Sequence, residues 1–267
     1  MTSQDSLIAT AYRKKMEGKD IKRAAQMIRD AQCAMAFTGA GISLESGIPT
    51  FRGGKDGLWS KHDPEDIEIS HFTANPAKSW RTIKECFYVF MQKNDIRPNK
   101  AHQVLARMEA DGLIKGIVTQ NIDCLHQAAG SRDVIEFHGT TGSATCTKCG
   151  RRVPASELDM AAEVPLCPEC GGVMKPDFVF FGEAIPTEAY ERSMSLAERA
   201  DVCVVVGTTG AVMPAAMVPI IVKRHGGKVI EVNPQPSELT RYADIFIRTG
   251  AVEAFAELEK EIWGDKA

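Results

Sequence analysis

The sequence predicts an α/β fold, a Rossmann-like doubly wound parallel sheet with a smaller second domain. Three observations predict it. Stretches of helical period alternate with short, continuously apolar runs. Four of those runs end in loops rich in Gly, Thr, Ser and Asn. Two segments, 50–98 and 144–175, break the alternation. Unbroken apolar strands belong to a sheet covered by helices on both faces. The ligand loops of such a sheet follow the carboxyl ends of its strands.

The elements follow in chain order. Residues 20–31 read as a helix that Asp20 can cap, with Ile21, Ala24, Ala25 and Ile28 as its apolar stripe. CAMAF (33–37) is a buried strand that runs into TGAGIS (38–43). Asn99 to Asp111 is a helix with Val104, Leu105 and Met108 inward and Gly112 as its stop; strand GIVT (116–119) follows and ends in QNID. Helix 187–199 leads to strand 201–207, and helix 214–225 leads to strand 228–233. ADIFIR (243–248) is a last strand and 251–263 a closing helix. The whole chain, 1–267, reads as a single unit. Segment 50–98 reads as a helical insertion, and 144–175, which holds two cysteine pairs, as a second; together they form the smaller domain.

Composition bounds the function. Of 267 residues, 44% are hydrophobic and 25% charged, ordinary values for a globular chain with a sizeable core. A formal net charge of −3 provides no strong basic field for nucleic acid. The N-terminus MTSQDSLIATAYRKKMEGKD shows no apolar signal region, and no apolar run approaches a membrane span. The expectation is a soluble, cytoplasmic protein.

Four of the eight cysteines form two tight pairs, Cys146/Cys149 and Cys167/Cys170, separated by seventeen residues. Paired Cys-x-x-Cys without a secretory signal points to metal rather than to disulfides. Each pair sits in a ribbon-like turn, CTKCG and CPECGG. Four thiolates saturate a tetrahedral zinc ion and leave no open position, so the predicted zinc is structural. Cys33, Cys86, Cys124 and Cys203 are expected to pack in the core.

TGAGIS carries small residues after a strand, which let backbone approach a pyrophosphate at a helix start. It is an incomplete dinucleotide fingerprint, because Leu44 holds the third glycine position, and a plain strand-to-helix turn reads equally from it. Thr119, Gln120, Asn121, Ile122 and Asp123 place carboxamides and a carboxylate at the end of a buried strand. They can hold ribose and carboxamide groups, or simply cap a helix. His138, in Phe137-His138-Gly139 beside the cysteine segment, is the histidine best placed to act as a general base. His62, His71, His102, His126 and His225 read as packed or surface residues. Segment 176–183, PDFVFFGE, is either an edge for peptide strand addition or an ordinary core strand.

Taken in order, GAGISLESGIPTFRG (39–53), TQNID (119–123), FHG (137–139), the two cysteine pairs, FVFFGE (178–183), VGTTG (206–210) and VNP (232–234) resemble the sirtuin family over about residues 20–260. The resemblance implies NAD-dependent removal of acyl groups, acetyl first among them, from protein lysines, giving nicotinamide, O-acyl-ADP-ribose and free lysine. It implies NAD contacts from Gly39, Ala40, Gly41, Ser43, Gly47, Ile48, Thr50, Phe51, Arg52, Gln120, Asn121, Ile122, Asp123, His138, Gly207, Thr208, Thr209, Asn233, Pro234 and Ala251. Asn121 and His138 are the implied catalytic pair, His138 as the base that takes a proton from a ribose hydroxyl. Val179, Phe180, Phe181 and Gly182 are implied to pair with the acyl-lysine peptide. Cys146, Cys149, Cys167 and Cys170 are implied to hold one structural zinc. The implied partners are an acyl-lysine protein or peptide, with neither nucleic acid nor membrane.

Two departures bear on specificity. Many sirtuins carry aspartate where this chain has Thr50, and threonine there resembles a branch that removes succinyl and malonyl groups. That branch reads the acid with a tyrosine and an arginine three residues apart; aligning on NPAKSW (75–80) places Ile83 and Cys86 there, neither of which pairs with a carboxylate. Acetyl or longer apolar acyl groups are therefore expected ahead of succinyl, unless Arg81 or Lys84 reaches the acid. Gly210 stands where a larger residue is more usual. Two other functions fit parts of the pattern. An ADP-ribosyltransferase or NAD glycohydrolase would use the same NAD contacts without a peptide strand. A zinc-ribbon binding module would need a basic face, but Lys148, Arg151 and Arg152 are offset by Glu157, Asp159, Glu163 and Glu169.

Overall fold

The structure is a computed structural model that describes residues 18–50 and 63–264. Phe51, Arg52 and His62 lie outside the described residues. The first helix, α1, spans 18–30. Asp20 is already inside it, and its carboxylate accepts from the Arg23 guanidinium at 3.0 Å. The expected cap is thus a within-helix partner.

The main sheet contains β1 (Ala34–Thr38), β2 (Ile114–Thr119), β3 (Val134–Glu136), β7 (Val202–Val206), β8 (Lys228–Val232) and β9 (Ile245–Ile247). They lie in the order β3-β2-β1-β7-β8-β9, every pair parallel. The chain winds outward from β1 in both directions, so the crevice opens beside β1 and β7, where the winding reverses. Two apolar layers cover the sheet. Helices α1, α5 (Lys100–Ala110) and α9 (Ala251–Trp263) bury Ile28, Leu105, Met108 and Phe255 on one face. Helices α7 (Thr187–Arg199) and α8 (Met217–Arg224) cover Met35, Phe37, Val205 and Val229 on the other. Helix α5 starts as its sequence suggests: the Asn99 side chain accepts from Ala101 N–H, and Gly112 beyond the end has φ +74°. Helix α8 begins three residues later than predicted, because Pro214 to Ala216 form a turn. Strand β3 gave no warning, since three residues are too few to show a period.

The smaller domain has its own core. A three-stranded antiparallel sheet, β5-β4-β6, is made of β4 (Gly139–Cys146), β5 (Arg152–Pro154) and β6 (Met174–Phe178). It packs on α2 (Ile69–Ala74), α3 (Pro76–Ile83) and a π-helical turn (Lys84–Val89), which α4 (Phe90–Lys93) continues. Trp80 is fully buried between them, its indole N–H donating to the Met174 carbonyl at 2.8 Å. Among the other four cysteines, Cys86 and Cys203 are in the core as expected. Cys33 and Cys124 are only half-buried, because each sits in a connection at the edge of the sheet.

Candidate active site and zinc centre

The four predicted ligands converge. The Sγ atoms of Cys146, Cys149, Cys167 and Cys170 all lie within 4.8 Å of one another, with Cys146 to Cys170 at 3.5 Å and Cys149 to Cys167 at 3.7 Å. A tetrahedral ion with Zn–S bonds of about 2.3 Å sets S···S near 3.8 Å, so the cage fits zinc. Backbone N–H groups of Cys149 and Lys148 point at the Cys146 sulfur at 3.5 and 3.4 Å and favour the thiolate a metal needs.

At the carboxyl edge of the main sheet the predicted loops knit together. Gly39 N–H donates to Val206, Gly41 N–H to Gly207 at 2.7 Å, and Gly207 N–H to Val232. A Cβ on Gly41 would stand 2.6 Å from Gly207 Cα, and Gly207 itself has φ +61°. These glycines are required because two backbones cross there. The N–H groups of Gly39 and Gly41 are engaged by the protein itself, and Ala40–Ser46 forms a 3-10 helix. Thr208 is a hub: its hydroxyl accepts from Gln120 Nε2 at 3.0 Å and its carbonyl from Asn233 Nδ2 at 2.8 Å. Gly47 closes the 3-10 helix at φ +94°, while Thr209 and Pro234 are exposed beyond the hub. Ala251 is buried at the start of α9, which Glu45 ties to this edge by accepting from Val252 N–H at 3.0 Å. Thr50 is half-buried. Gly210 has φ +67°, and a Cβ there would meet Leu239 Cγ at 2.6 Å, which accounts for glycine at that position.

The TQNID segment is organised around Ser43. The Ser43 hydroxyl donates to Asp123 Oδ2 at 2.7 Å and accepts from Asn121 Nδ2 at 3.2 Å. Asp123 Oδ1 also accepts from Leu125 N–H at 3.0 Å, but the N-cap of α6 (Leu125–Ala128) is Cys124, in the left-handed region at φ +60°, so neither Asn121 nor Asp123 is the helix cap that the sequence allowed. Burial pushes the Asp123 carboxyl up, against the hydrogen bonds it accepts. His138 Nδ1 lies 3.0 Å from the Gln120 carbonyl, which can only accept, so Nδ1 carries the proton and Nε2 keeps its lone pair. Burial lowers its pKa and keeps the ring neutral at pH 7.

A cavity of about 520 Å³, open mouth included, runs from Ala40, Ser43, Ile48, Asn121, Ile122 and Asp123 to an apolar wall of Cys86, Phe87, Phe90 and Met91. Among the described residues no lysine, arginine or histidine lines it. The alignment is half met: of the two residues it put at the wall only one lines it, the π-helical turn beginning directly after Ile83. Cys86 lines it, but Ile83 is fully buried elsewhere. The lining residues three apart on this wall are Phe87 and Phe90, both without a polar side-chain atom; the neighbouring Tyr88 is engaged elsewhere, its hydroxyl donating to the Thr141 carbonyl at 3.0 Å. Arg81 is exposed, and Lys84 Nζ bonds the carbonyls of Ala162 and Glu163.

The predicted peptide segment is mixed. Val179 N–H donates to the His138 carbonyl, Phe180 N–H to the Glu183 carboxylate and Phe181 N–H to the Ile67 carbonyl. Phe180 is a core residue stacked on Phe178 at 4.6 Å. Phe181 and Gly182 are exposed. The sequence reading missed Thr38, His102 and His126, which are fully or almost fully buried beneath TQNID. His102 Nδ1 lies 3.1 Å from the side chain of Asn99, the N-cap of α5.

A family model described as the Sir2 family matches residues 39–214. The NAD-dependent protein deacylase of Thermococcus kodakarensis is 46% identical over 248 residues, covering 90% of this chain and 94% of that one. That of Pyrococcus furiosus is 45% identical over 245 residues, covering 89% and 96%. Among solved structures, a mutant Sir2 homologue in complex with ADP-ribose superposes with a TM-score of 0.84 at 40% identity, covering 90% of this chain and 95% of that one. A Sir2 with a p53 peptide and NAD+ gives 0.80 at 34%, covering 90% and 98%. With a family model spanning most of the chain and relatives this similar along nearly all of it, the chain belongs to the Sir2 family, the sirtuins.

Proposed function

We infer that this chain is an NAD-dependent protein deacylase that takes acyl groups from lysine side chains and releases nicotinamide, O-acyl-ADP-ribose and free lysine. The observation that carries it is a neutral His138 tied through Nδ1 to the Gln120 carbonyl, next in the chain to the Asn121 of a polar Ser43–Asn121–Asp123 cluster that lines an apolar cavity. Relatives named deacylases, and Sir2 structures with a p53 peptide plus NAD+ and with a propionylated peptide, support the same reading. Bound NAD supplies an activated glycosidic bond whose leaving group, nicotinamide, departs without metal assistance. The residues proposed to hold it are those at the carboxyl edge, Gly39 to Ser43, Gln120 to Asp123, Gly207 to Thr209 and Asn233. Their fit rests on the Gly, Thr and Asn loops converging there.

Within that site, Asn121 orders ribose hydroxyls, Asp123 holds the nicotinamide carboxamide, and His138 Nε2 takes a proton from a ribose hydroxyl. The segment Val179 to Gly182 receives the peptide; Phe181 already pairs with Ile67 and Ile69 through its N–H and carbonyl, which leaves Gly182 as the exposed end of that segment. The apolar wall at Cys86, Phe87, Phe90 and Met91 excludes water and suits acetyl or longer apolar acyl groups. The whole chain acts as one catalytic domain, with 50–98 and 144–175 as its insertions. Cysteines held as zinc thiolates suit a reducing compartment and support a cytoplasmic location. Among the described residues no helix is long and apolar enough to cross a membrane.

An acyl-lysine peptide panel incubated with NAD and read by mass spectrometry tests the reading. O-acyl-ADP-ribose and free lysine in equal amounts are expected. ADP-ribose alone, or ADP-ribosylated peptide, would instead favour a glycohydrolase or an ADP-ribosyltransferase.

A further inference from the structure

Beneath the TQNID segment lies a buried hydrogen-bond chain. Thr38 and Thr119 end β1 and β2 as direct partners in the parallel register. Their hydroxyls are 2.9 Å apart, and Thr119 Oγ1 accepts the backbone N–H of Asn121 at 3.1 Å. The chain starts at His126 on α6, 1% exposed, whose Nε2 is 2.9 Å from Thr38 Oγ1. Its Nδ1 is buried with no partner.

The proton order follows from that orphan atom. If Thr38 donated to His126, Nδ1 would carry a buried N–H with no acceptor, the rarer and more costly defect. The order that avoids it has His126 Nε2–H donating to Thr38, Thr38 to Thr119, and Thr119 accepting from Asn121. The opposite side of Asn121 is held by Ser43, whose hydroxyl sits 3.5 Å from Nε2 of His102. The two imidazoles meet edge to face with centroids 4.9 Å apart. Asn121 is therefore fixed twice: by its carboxamide through Ser43, and by its main chain through Thr119, Thr38 and His126.

We propose that His126 is a positioning residue for deacylation, fixing the main chain of Asn121 through Thr38 and Thr119 so that the Asn121 carboxamide stays aimed into the crevice. It touches no substrate. The proposal rests on the reading that Asn121 orders the ribose.

Steady-state kinetics with NAD and an acetyl-lysine peptide test it, on His126→Leu, His126→Gln, Thr38→Val and the Thr38→Val/His126→Leu double variant. Gln can still donate to Thr38; Leu and Val cannot carry the chain. His126→Leu and Thr38→Val are each expected to lower kcat by about tenfold with the peptide KM within about twofold, because a misaimed group costs rate rather than peptide affinity. The double variant is expected to lose no more than the worse single, and Gln to recover most of the loss. A kcat for Thr38→Val equal to the unmodified protein's would overturn the proposal, even if His126→Leu fails to fold. So would losses that multiply in the double variant, or a Gln variant no better than Leu. Asn121→Ala with undiminished kcat is a separate failure, since it would remove the ribose reading on which the proposal stands.

Discussion

His138 and Gln120 are joined through the ring and the main chain: Nδ1 of His138 donates to the Gln120 carbonyl at 3.0 Å. Gln120 in turn binds the Thr208 hydroxyl with its side chain. The proposed base and the loop proposed to hold the nucleotide are thus held by one residue, and the tautomer that leaves the proton off Nε2 is fixed by an acceptor that cannot reverse roles.

That arrangement predicts the pH profile. Burial lowers the His138 pKa below its ordinary 6.5, so the basic form prevails at neutral pH. Activity should be flat around pH 7 and fall as pH drops through a midpoint below 6.5. His138→Ala should abolish turnover while NAD still binds by calorimetry. Deacylation retained in that variant, or a midpoint above 6.5, would refute the assigned role.

The apolar wall predicts acyl selectivity. A succinyl carboxylate in that cavity would lose water and gain no cation, since no lysine, arginine or histidine among the described residues lines it and Phe87, Phe90 and Met91 cannot pair with an acid. Acetyl- or octanoyl-lysine peptides should exceed succinyl-lysine in kcat/KM by at least about tenfold, the equivalent of about 1.4 kcal/mol. Met91→Arg should raise the succinyl-to-acetyl ratio. A succinyl preference in the unmodified protein would sink this reading of the wall.

The zinc cage predicts a coupling between metal and activity. Strand β4 begins at Gly139, directly after His138, and ends at Cys146, a ligand. Gly139 is held tightly: it has φ +70°, and a Cβ there would lie 2.0 Å from the Asp177 carbonyl. Loss of the ion should loosen β4 and β6 and, through them, His138. One zinc per chain is expected by elemental analysis. A strong chelator should lower the thermal midpoint and activity together, with zinc restoring both. Full activity in zinc-free protein would show that the cage and His138 are uncoupled.

Much of this was legible in the sequence, for reasons that also mark its limits. Helix 187–199 and the strand after it were plain because 3.6-residue periodicity and an unbroken Val run are strong local signals. The cysteine cage was legible because its ligands come in two fixed local turns. The TGAGIS glycines were noticed, but their main task is a backbone crossing with Gly207, 166 residues away in sequence, which no local pattern reveals. The cavity wall was half legible: Cys86 lines it and Ile83 does not, and the π-helical turn that begins after Ile83 carries no composition signal. His102 and His126 were set aside as bland, and they are indeed packed. Packing against the loop that carries Asn121 and Asp123 is a tertiary fact.

Those two histidines predict how the fold responds to acid. Burial, chiefly, lowers His102 to about 4 and His126 to about 3, against 6.5 when exposed in the unfolded chain. The sign follows directly: both rings are neutral when folded, and the unfolded state takes up their protons first. Their contribution is fully present above pH 6.5 and is lost as pH falls toward the folded values. Well inside that window the unfolded state holds nearly two more protons, so stability should fall by up to about 2.7 kcal/mol per pH unit. Asp123 and Glu136, whose carboxyls burial pushes up, act in the opposite sense at the acid end, so the slope is best read above pH 5. Urea unfolding between pH 7 and 5 measures it. His126→Gln removes one of these groups and should lower the slope by up to about 1.4 kcal/mol per pH unit, while His138, whose pKa burial also lowers, still adds to what remains. An unchanged slope in that variant would mean that His126 is already charged in the folded protein.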